Sequence, residues 1–323
     1  MLQAPEFWTR TGLASDLLLP LAWSHAALGA ARRRFAQPWH ASVPVLCVGN
    51  LVAGGAGKTP VVLSLAQILR DTGKAPHILS RGYGGSLAGP VRVDPARHSA
   101  DEVGDEPLLL AEAAPTWIGA DRTQSARAAI AAGAELLLLD DGFQNPALHQ
   151  DLALVVIDGA YGLGNGRVIP AGPLREPAAV GMARAQAVVV VGRHRADLAP
   201  QGKPVLAARL VPCAADDLKG QKLLAFAGIG RPEKFFATLR ELGAEMAATR
   251  AFADHHRYDE AELTRLMAEA GRRHAQLITT EKDRVRLSPP WRERIRALKV
   301  AIEWEDRVAL LHLVAPLLSA THG

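Results

Sequence analysis

Cysteine is scarce in this 323-residue chain: Cys47 and Cys213 are the only two, far apart and in no metal-binding spacing. That excludes a disulfide-stapled scaffold and a zinc module, and it reads as free or buried thiols in a reducing compartment. Excess charge of one sign is also lacking. A net charge of +4 suits an anionic substrate or membrane surface but is too weak to argue for nucleic acid, and no motif for nucleic acid is present. Internal repeats and low-complexity tracts are absent. Unbroken apolar runs are rare as well. The best, residues 13–31, carries Leu17, Leu18, Leu19, Leu21, Trp23 and Leu28 but is interrupted by Asp16, Pro20 and His25. A charge near mid-bilayer costs roughly 2.5–3.5 kcal/mol even on the lenient insertion scale, so a spanning helix is disfavoured. The arginines Arg32, Arg33 and Arg34 follow the run instead of preceding it, and no small-residue cleavage site is evident, so the segment makes a poor secretory signal. The segment is expected to lie in a membrane interface, with Trp8, Trp23 and Trp39 at headgroup level and the arginines toward anionic lipid.

What is present is a globular composition, 49% apolar and 22% charged, on a chain long enough for two domains. From Val43 onward strand, loop and helix alternate. Short continuous apolar runs at 43–48, 136–139, 152–157 and 187–191 suit parallel strands covered on both faces. The helix after the first strand carries Val62, Leu65, Ala66 and Leu69 on one face and ends at Gly73; Asp121 caps another that ends at Gly133. Alternation lapses over 201–219, and a second series follows. It has a strand at 223–227, a helix opened by Pro232 and closed by Gly243, a capping box at Asp259 and Glu262, strands at 276–279 and 299–304, and a helix from Arg307. The expected fold class is α/β, a P-loop-type doubly wound domain with a second, smaller α/β domain. Its expected division is an N-terminal helical segment at 1–40, a P-loop domain at 41–200, a linker at 201–219 and a C-terminal α/β domain at 220–323.

The strongest chemical signal is Gly54-Gly55-Ala56-Gly57-Lys58-Thr59 between a strand and a helix. Small residues let successive backbone N–H groups cradle a polyphosphate at a helix N-terminus; Lys58 reaches the β- and γ-phosphates and the Thr59 hydroxyl ligates Mg²⁺. The usual pattern has glycine five residues before Gly57, where this chain has Val52. Downstream, Asp140 and Asp141 end the apolar run at 136–139, where a P-loop enzyme holds its Mg²⁺ directly or through water. ATP and Mg²⁺ are therefore expected, though neither motif names an acceptor. A partitioning ATPase would carry a lysine where this chain has Ala53. A guanine-reading string would need lysine directly after Thr280, where Glu281 stands. A nonenzymatic, nucleotide-dependent membrane scaffold is the remaining rival, and lipid-dependent release of ADP separates it from a kinase.

Further strings complete the pattern: Gly49-Asn50-Leu51, Ser80-Arg81-Gly82-Tyr83-Gly84, Val103-Gly104-Asp105-Glu106-Pro107, Asp140-Asp141-Gly142-Phe143-Gln144, Pro170-Ala171-Gly172-Pro173-Leu174-Arg175-Glu176 and Thr280-Glu281-Lys282-Asp283. Taken in order over almost the whole chain, they resemble the tetraacyldisaccharide 4'-kinase family, whose P-loop also lacks the first glycine. The resemblance implies two α/β/α domains around a cleft. It implies transfer of the γ-phosphate of ATP to the 4'-hydroxyl of a tetraacyl glucosamine disaccharide 1-phosphate, a lipid A precursor, at the cytoplasmic face of the bacterial inner membrane. The protein would be peripheral or monotopic there, with no nucleic acid and no obligatory protein partner. The resemblance makes Asp105 the general base for the sugar hydroxyl, assisted by a histidine from Asp254-His255-His256, with His255 preferred and His256 left open. Lys58 joins the catalytic group. Arg81, Gln144 and Arg175 are candidates for contacting the disaccharide phosphate or the transferring phosphate, because Arg forks match phosphate oxygens. Glu176 joins Thr59, Asp140 and Asp141 as a metal candidate. The string at 280–283 is expected in a loop after a strand, with no assigned role.

Overall fold

A computed structural model describes residues 5–55, 57–193, 198, 202–213 and 216–319. Among the described residues thirteen strands build two sheets. The first contains β1 (Val45–Gly49), β2 (Pro76–Ser80), β3 (Val91–Arg92), β4 (Thr116–Ile118), β5 (Leu136–Asp140), β6 (Leu152–Asp158), β7 (Ala187–Val191) and β8 (Val205–Pro212). The second is built from β9 (Lys222–Ala227), β10 (Glu245–Ala251), β11 (Gln276–Thr280) and β12 (Arg296–Leu298), and β13 (Val300–Trp304) returns to the first.

The large sheet runs β13-β8-β7-β6-β1-β5-β2-β4-β3, parallel except for the outermost pair at each end. Strands β1, β5, β6 and β7 are apolar on both faces because helices cover both sides. One face packs on the helix Lys58–Asp71, through Val61, Val62, Leu65, Ala66 and Leu69, and on the helix Arg307–Ser319, through Leu310, Val314 and Leu317. The other packs on the helices Arg122–Ala131 and Ala178–Arg184. Each fully buried leucine contributes about 1.5–3 kcal/mol, so the central strands anchor the loops at their C-terminal ends. Because β1 lies between β5 and β6, the loop leaving it sits at the sheet's switch point, where open α/β sheets bind ligands. The small sheet, β10-β9-β11-β12, is wholly parallel, between the helix Pro232–Glu241 and the helix Glu260–Arg272.

Two expectations about chain organisation differ from what is observed. Residues 205–212, expected in a linker, form β8, with Leu206 and Ala208 buried against the first core. Residues 300–304, expected in the C-terminal domain, pair antiparallel with β8, with Glu303 opposite Arg209 and their charged groups 2.9 Å apart. Local pattern marks a strand but does not say which sheet receives it. We propose dividing the chain into a first lobe carrying the nine-stranded sheet and a second lobe, 216–298, inserted between β8 and β13.

The N-terminal segment forms two helices, Leu13–Leu17 and Leu19–Arg34, which meet just before Pro20. No helix among the described residues is long and apolar enough to cross a membrane. Leu13, Leu17, Leu21, Trp23, Leu28 and Phe35 are exposed. Of the three tryptophans expected at headgroup level only Trp23 is exposed. Trp8 donates its indole N–H to the Pro170 carbonyl at 3.1 Å, and Trp39 lies under the Arg127 guanidinium, 4.4 Å from the ring centroid. Both rings are engaged by the first lobe, which sequence alone does not reveal.

Candidate active site

The loop after β1 is tied down on both sides. Asn50, buried at its start, donates from Nδ2 to the carbonyls of Val52 at 2.6 Å and Gly54 at 3.3 Å. Val52, where other P-loops have glycine, is half-buried and forms an antiparallel bridge with Leu174; the Ala53 N–H donates to the Pro173 carbonyl at 2.8 Å. The segment 170–176 thus lies along the phosphate loop, which gives its unusual string a structural reason. Gly57 has φ 78° at the N-cap of the helix Lys58–Asp71, a left-handed conformation that favours glycine. Gly54 and Gly55 have nothing within 4 Å of where a Cβ would sit, so the cradle is open. Ala56 falls outside the described residues.

Lys58 starts the helix with its Nζ 3.5 Å from an Asp141 oxygen, and Arg175 grips the same carboxylate with both Nη atoms, at 2.9 and 3.0 Å. Burial works against the Asp141 charge, but Lys58 and Arg175 outweigh it and hold its pKa below the ordinary range. Asp140 is in the opposite situation. It is buried, with Oδ2 accepting from Ser80 Oγ at 3.2 Å and Oδ1 without any hydrogen-bond partner. Burial first, then the nearby Glu106 carboxylate, push its pKa well up. A buried carboxylate oxygen with no hydrogen-bond partner among the described residues, beside other carboxylates, is suited to a divalent cation, so the residues present fit Mg²⁺. Among the described residues no three His, Cys, Asp or Glu side chains converge as a self-sufficient metal cage. The Thr59 hydroxyl, buried one residue beyond Lys58, lies 3.4 Å from Glu106 Oε1. Glu176, expected with the metal group, instead accepts from Gln144 Nε2 at 3.0 Å and Arg184 Nη2 at 2.7 Å, with Arg33 3.4 Å away. Its charge is already matched by arginines. Gln144 also donates to the Asn50 carbonyl at 3.0 Å, whereas Arg81 is exposed just past β2.

Asp105 begins the helix Asp105–Ala111 after Gly104, whose φ is 88° and whose Cβ would fall 2.6 Å from the Tyr83 carbonyl oxygen. Only glycine lets the strings at 80–84 and 103–107 lie so close. The second lobe meets Asp105 with His255, whose Nδ1 is 3.0 Å from Asp105 Oδ2. His256 is elsewhere, paired with Glu262 at 3.1 Å and stacked on Phe252. Among the described residues three non-glycine positions have positive φ, and two of them, Asp141 and His255, are in this site; such strain gathers where geometry is functional. Burial raises the Asp105 pKa, but the His255 hydrogen bond and the Arg286 charge overcome it and hold the group well below the carboxylate range. The same hydrogen bond raises the His255 pKa.

Sequence reasoning missed three residues. Arg286 binds Asp105, Lys282 Nζ sits 2.5 Å from Glu106 Oε1, and Asp283 is fully buried beneath them. The string at 280–283 is no loop: Thr280 caps a short helix, Glu281–Arg284, by accepting from the Asp283 N–H at 3.1 Å. Its one available signal was an unexplained string carrying Lys282 and Asp283 directly after a strand. Val285 follows and is buried with Val103, Leu108, Leu109 and Ile118 of the first lobe.

A glycine cradle at the switch point of a parallel sheet, a lysine and threonine opening the next helix and an aspartate on the neighbouring strand define a P-loop phosphotransferase. The family model of tetraacyldisaccharide-1-P 4'-kinase matches residues 14–318. The tetraacyldisaccharide 4'-kinase of Rhodospirillum centenum is 58% identical over 100% of this chain and 99% of the relative. That of Paramagnetospirillum magneticum is 52% identical over 94% and 95%. A crystal structure of LpxK from Aquifex aeolicus in complex with ATP aligns with a TM-score of 0.78 and 29% identity, covering 94% of this chain and 99% of that one. The chain belongs to the tetraacyldisaccharide 4'-kinase family and is a kinase.

Proposed function

We propose that this kinase transfers the γ-phosphoryl group of ATP to the 4'-hydroxyl of a tetraacyl glucosamine disaccharide 1-phosphate, working with Mg²⁺ at the cytoplasmic face of the inner membrane. The observation that carries the reading is the meeting of Asp105 and His255, from different lobes, at 3.0 Å beside a phosphate loop. A sugar hydroxyl is a weak nucleophile, and a carboxylate kept ionised by its neighbours accepts the proton as the bond forms. Phosphoryl transfer passes through a loose transition state, so placing that carboxylate matters more than its basicity. His255 orients Asp105. Lys58 and Arg175, now shared by Asp141, are poised to turn to the phosphate oxygens of the nucleotide or the transferring group. Arg81 and Gln144 border the acceptor side. Held by Thr59 and Asp140, Mg²⁺ would neutralise charge on the β- and γ-phosphates. Glu176 serves in our reading as a structural anion that holds Arg33 and Arg184, not as a ligand.

The exposed apolar residues Leu13, Leu17, Leu21, Trp23 and Leu28, followed by Arg32 and Arg34, support docking of the N-terminal helices flat on an anionic membrane. A lipid acceptor then reaches the cleft without leaving the interface. The test is incubation of purified protein with γ-labelled ATP, Mg²⁺ and the tetraacyl disaccharide 1-phosphate, followed by mass analysis. Label on the 4'-oxygen is expected; no labelled lipid, or label on another hydroxyl, would refute the reading.

A further inference from the structure

Among the described residues the Asp105 carboxylate accepts hydrogen bonds only from the second lobe, and all on one oxygen. His255 Nδ1 lies 3.0 Å from Oδ2; Arg286 Nε donates to the same atom at 3.1 Å, and Arg286 Nη2 donates to it too. Among the described residues Oδ1 accepts no hydrogen bond from a side chain or from the backbone. The carboxylate therefore has one pinned oxygen and one available oxygen.

Arg286 is itself rigidly held. Its side chain is 5% exposed, and Nη1 donates to the Gly228 carbonyl at 2.8 Å and to Asp283 Oδ1 at 3.0 Å. Asp283 is immobilised in turn, accepting on Oδ1 from the Gly228 N–H at 2.9 Å and the Tyr258 hydroxyl at 2.8 Å, and on Oδ2 from Thr280 Oγ1 at 2.6 Å. A planar guanidinium is thus fixed between a fully buried carboxylate of its own lobe and Asp105 of the other. Lysine offers a point charge and no fork, so it cannot reproduce two donors to one oxygen and two more in the opposite direction. Without the cation, Asp105 and Asp283 would face each other as partly buried like charges.

Resting on the function proposed above, we propose that Arg286, anchored by Asp283, is a positioning residue that locks Asp105 Oδ2 and so presents Oδ1 to the acceptor hydroxyl. Arg286 acts through Asp105 and touches neither nucleotide nor acceptor. Misplacing a reacting group by about 1 Å costs on the order of 10²-fold, which sets the expected size of the effect.

The test uses the full chain in the lipid kinase assay with Arg286→Gln, Arg286→Lys, Asp105→Ala and the double variant Asp105→Ala/Arg286→Gln. Melting temperature and nucleotide affinity are measured alongside. We expect kcat to fall on the order of 10²-fold in Arg286→Gln and less in Arg286→Lys. KM for ATP should stay within about twofold, and the double variant should be no slower than Asp105→Ala, because residues acting as one unit lose activity once. If Arg286→Gln does not fold, Arg286→Lys alone decides: a wild-type kcat would show that the fork is dispensable and overturn the proposal. Multiplying losses in the double variant, or a raised KM for ATP with kcat intact, would overturn it as well by placing Arg286 on the nucleotide. A wild-type chain inert toward the disaccharide removes the functional reading and this inference with it. An active wild type with equally active Arg286 variants removes the inference alone.

Discussion

Removing either member of the pair that bridges the cleft should cost very different amounts. Asp105→Ala deletes the proposed proton acceptor, a loss of roughly 10²–10⁴-fold in kcat. His255→Ala deletes one of the donors on Asp105 Oδ2 while both Arg286 donors remain. A hydrogen bond to a charged group contributes about 1.5–3 kcal/mol, and each 1.36 kcal/mol is about tenfold, so His255→Ala should lose roughly 10- to 150-fold. Because the histidine works through the carboxylate, the double variant should match Asp105→Ala, with ATP affinity unchanged in all three. His256→Ala is the control: its ring is engaged by Glu262 and Phe252, so kcat should stay near wild type. The assay is steady-state turnover at saturating ATP and lipid. Losses that multiply in the double variant would refute the idea of one unit, and a larger loss in His256→Ala than in His255→Ala would refute the choice of histidine.

Lys58→Ala should lower turnover by orders of magnitude, since it removes a positioned charge from the phosphate loop; near-normal kcat at saturating ATP would sink the nucleotide-site assignment. Asp105→Asn should lower the raised His255 pKa, because the Asp105 charge and its charge-assisted hydrogen bond are lost while burial, which lowers it, stays. An NMR titration showing no downward movement contradicts the pairing. Exposed Leu21, Trp23 and Leu28 bear on membrane docking more cleanly than truncation does, because truncation would also remove the Ser15 and Arg33 contacts with Ala171 and Glu176. Replacing all three with glutamate should abolish pelleting with anionic liposomes at unchanged melting temperature, and undiminished pelleting counts against the helices as the anchor.

The elements most legible in the sequence were those whose cause is local. The helix 122–131 starts where Asp121 accepts from the Thr123 and Gln124 N–H groups, and the helix 260–272 starts at its Asp259/Glu262 capping box. The apolar run of β5 and the glycine loop are likewise defined by neighbours in sequence. Strand β2 was not read because Pro76 and His77 interrupt its apolar character, although His77 is buried beside Trp117. Assigning β8 and β13 to one sheet required a pairing that no window contains. The site divides in the same way. Lys58, Thr59 and Asp140 follow from motif chemistry, but Arg286 sits 181 positions from the carboxylate it holds and lies in no recognisable string. Glu176 shows the limit of motif reading: a carboxylate near a P-loop looks like a ligand, and only the structure brings Arg33 and Arg184 beside it, on which its proposed anchoring role rests.

The return of β13 to the first sheet constrains how the two lobes can move and be made. Both chain crossings into the second lobe lie side by side, with Val300 opposite Pro212 and the Cys213 N–H donating to the Lys299 carbonyl at 2.8 Å. Because the two crossings adjoin as paired strands, twisting or sliding one past the other would break the ladder hydrogen bonds between them. A single proteolytic cut at either crossing would leave the lobe tethered by the other. During synthesis, the whole of 216–298 must leave the ribosome before β13 can pair with β8 and Trp304 can reach Ser64 on the phosphate-loop helix, 2.9 Å away. The nucleotide lobe is therefore stitched shut only after the lobe that carries His255 and Arg286 has been made.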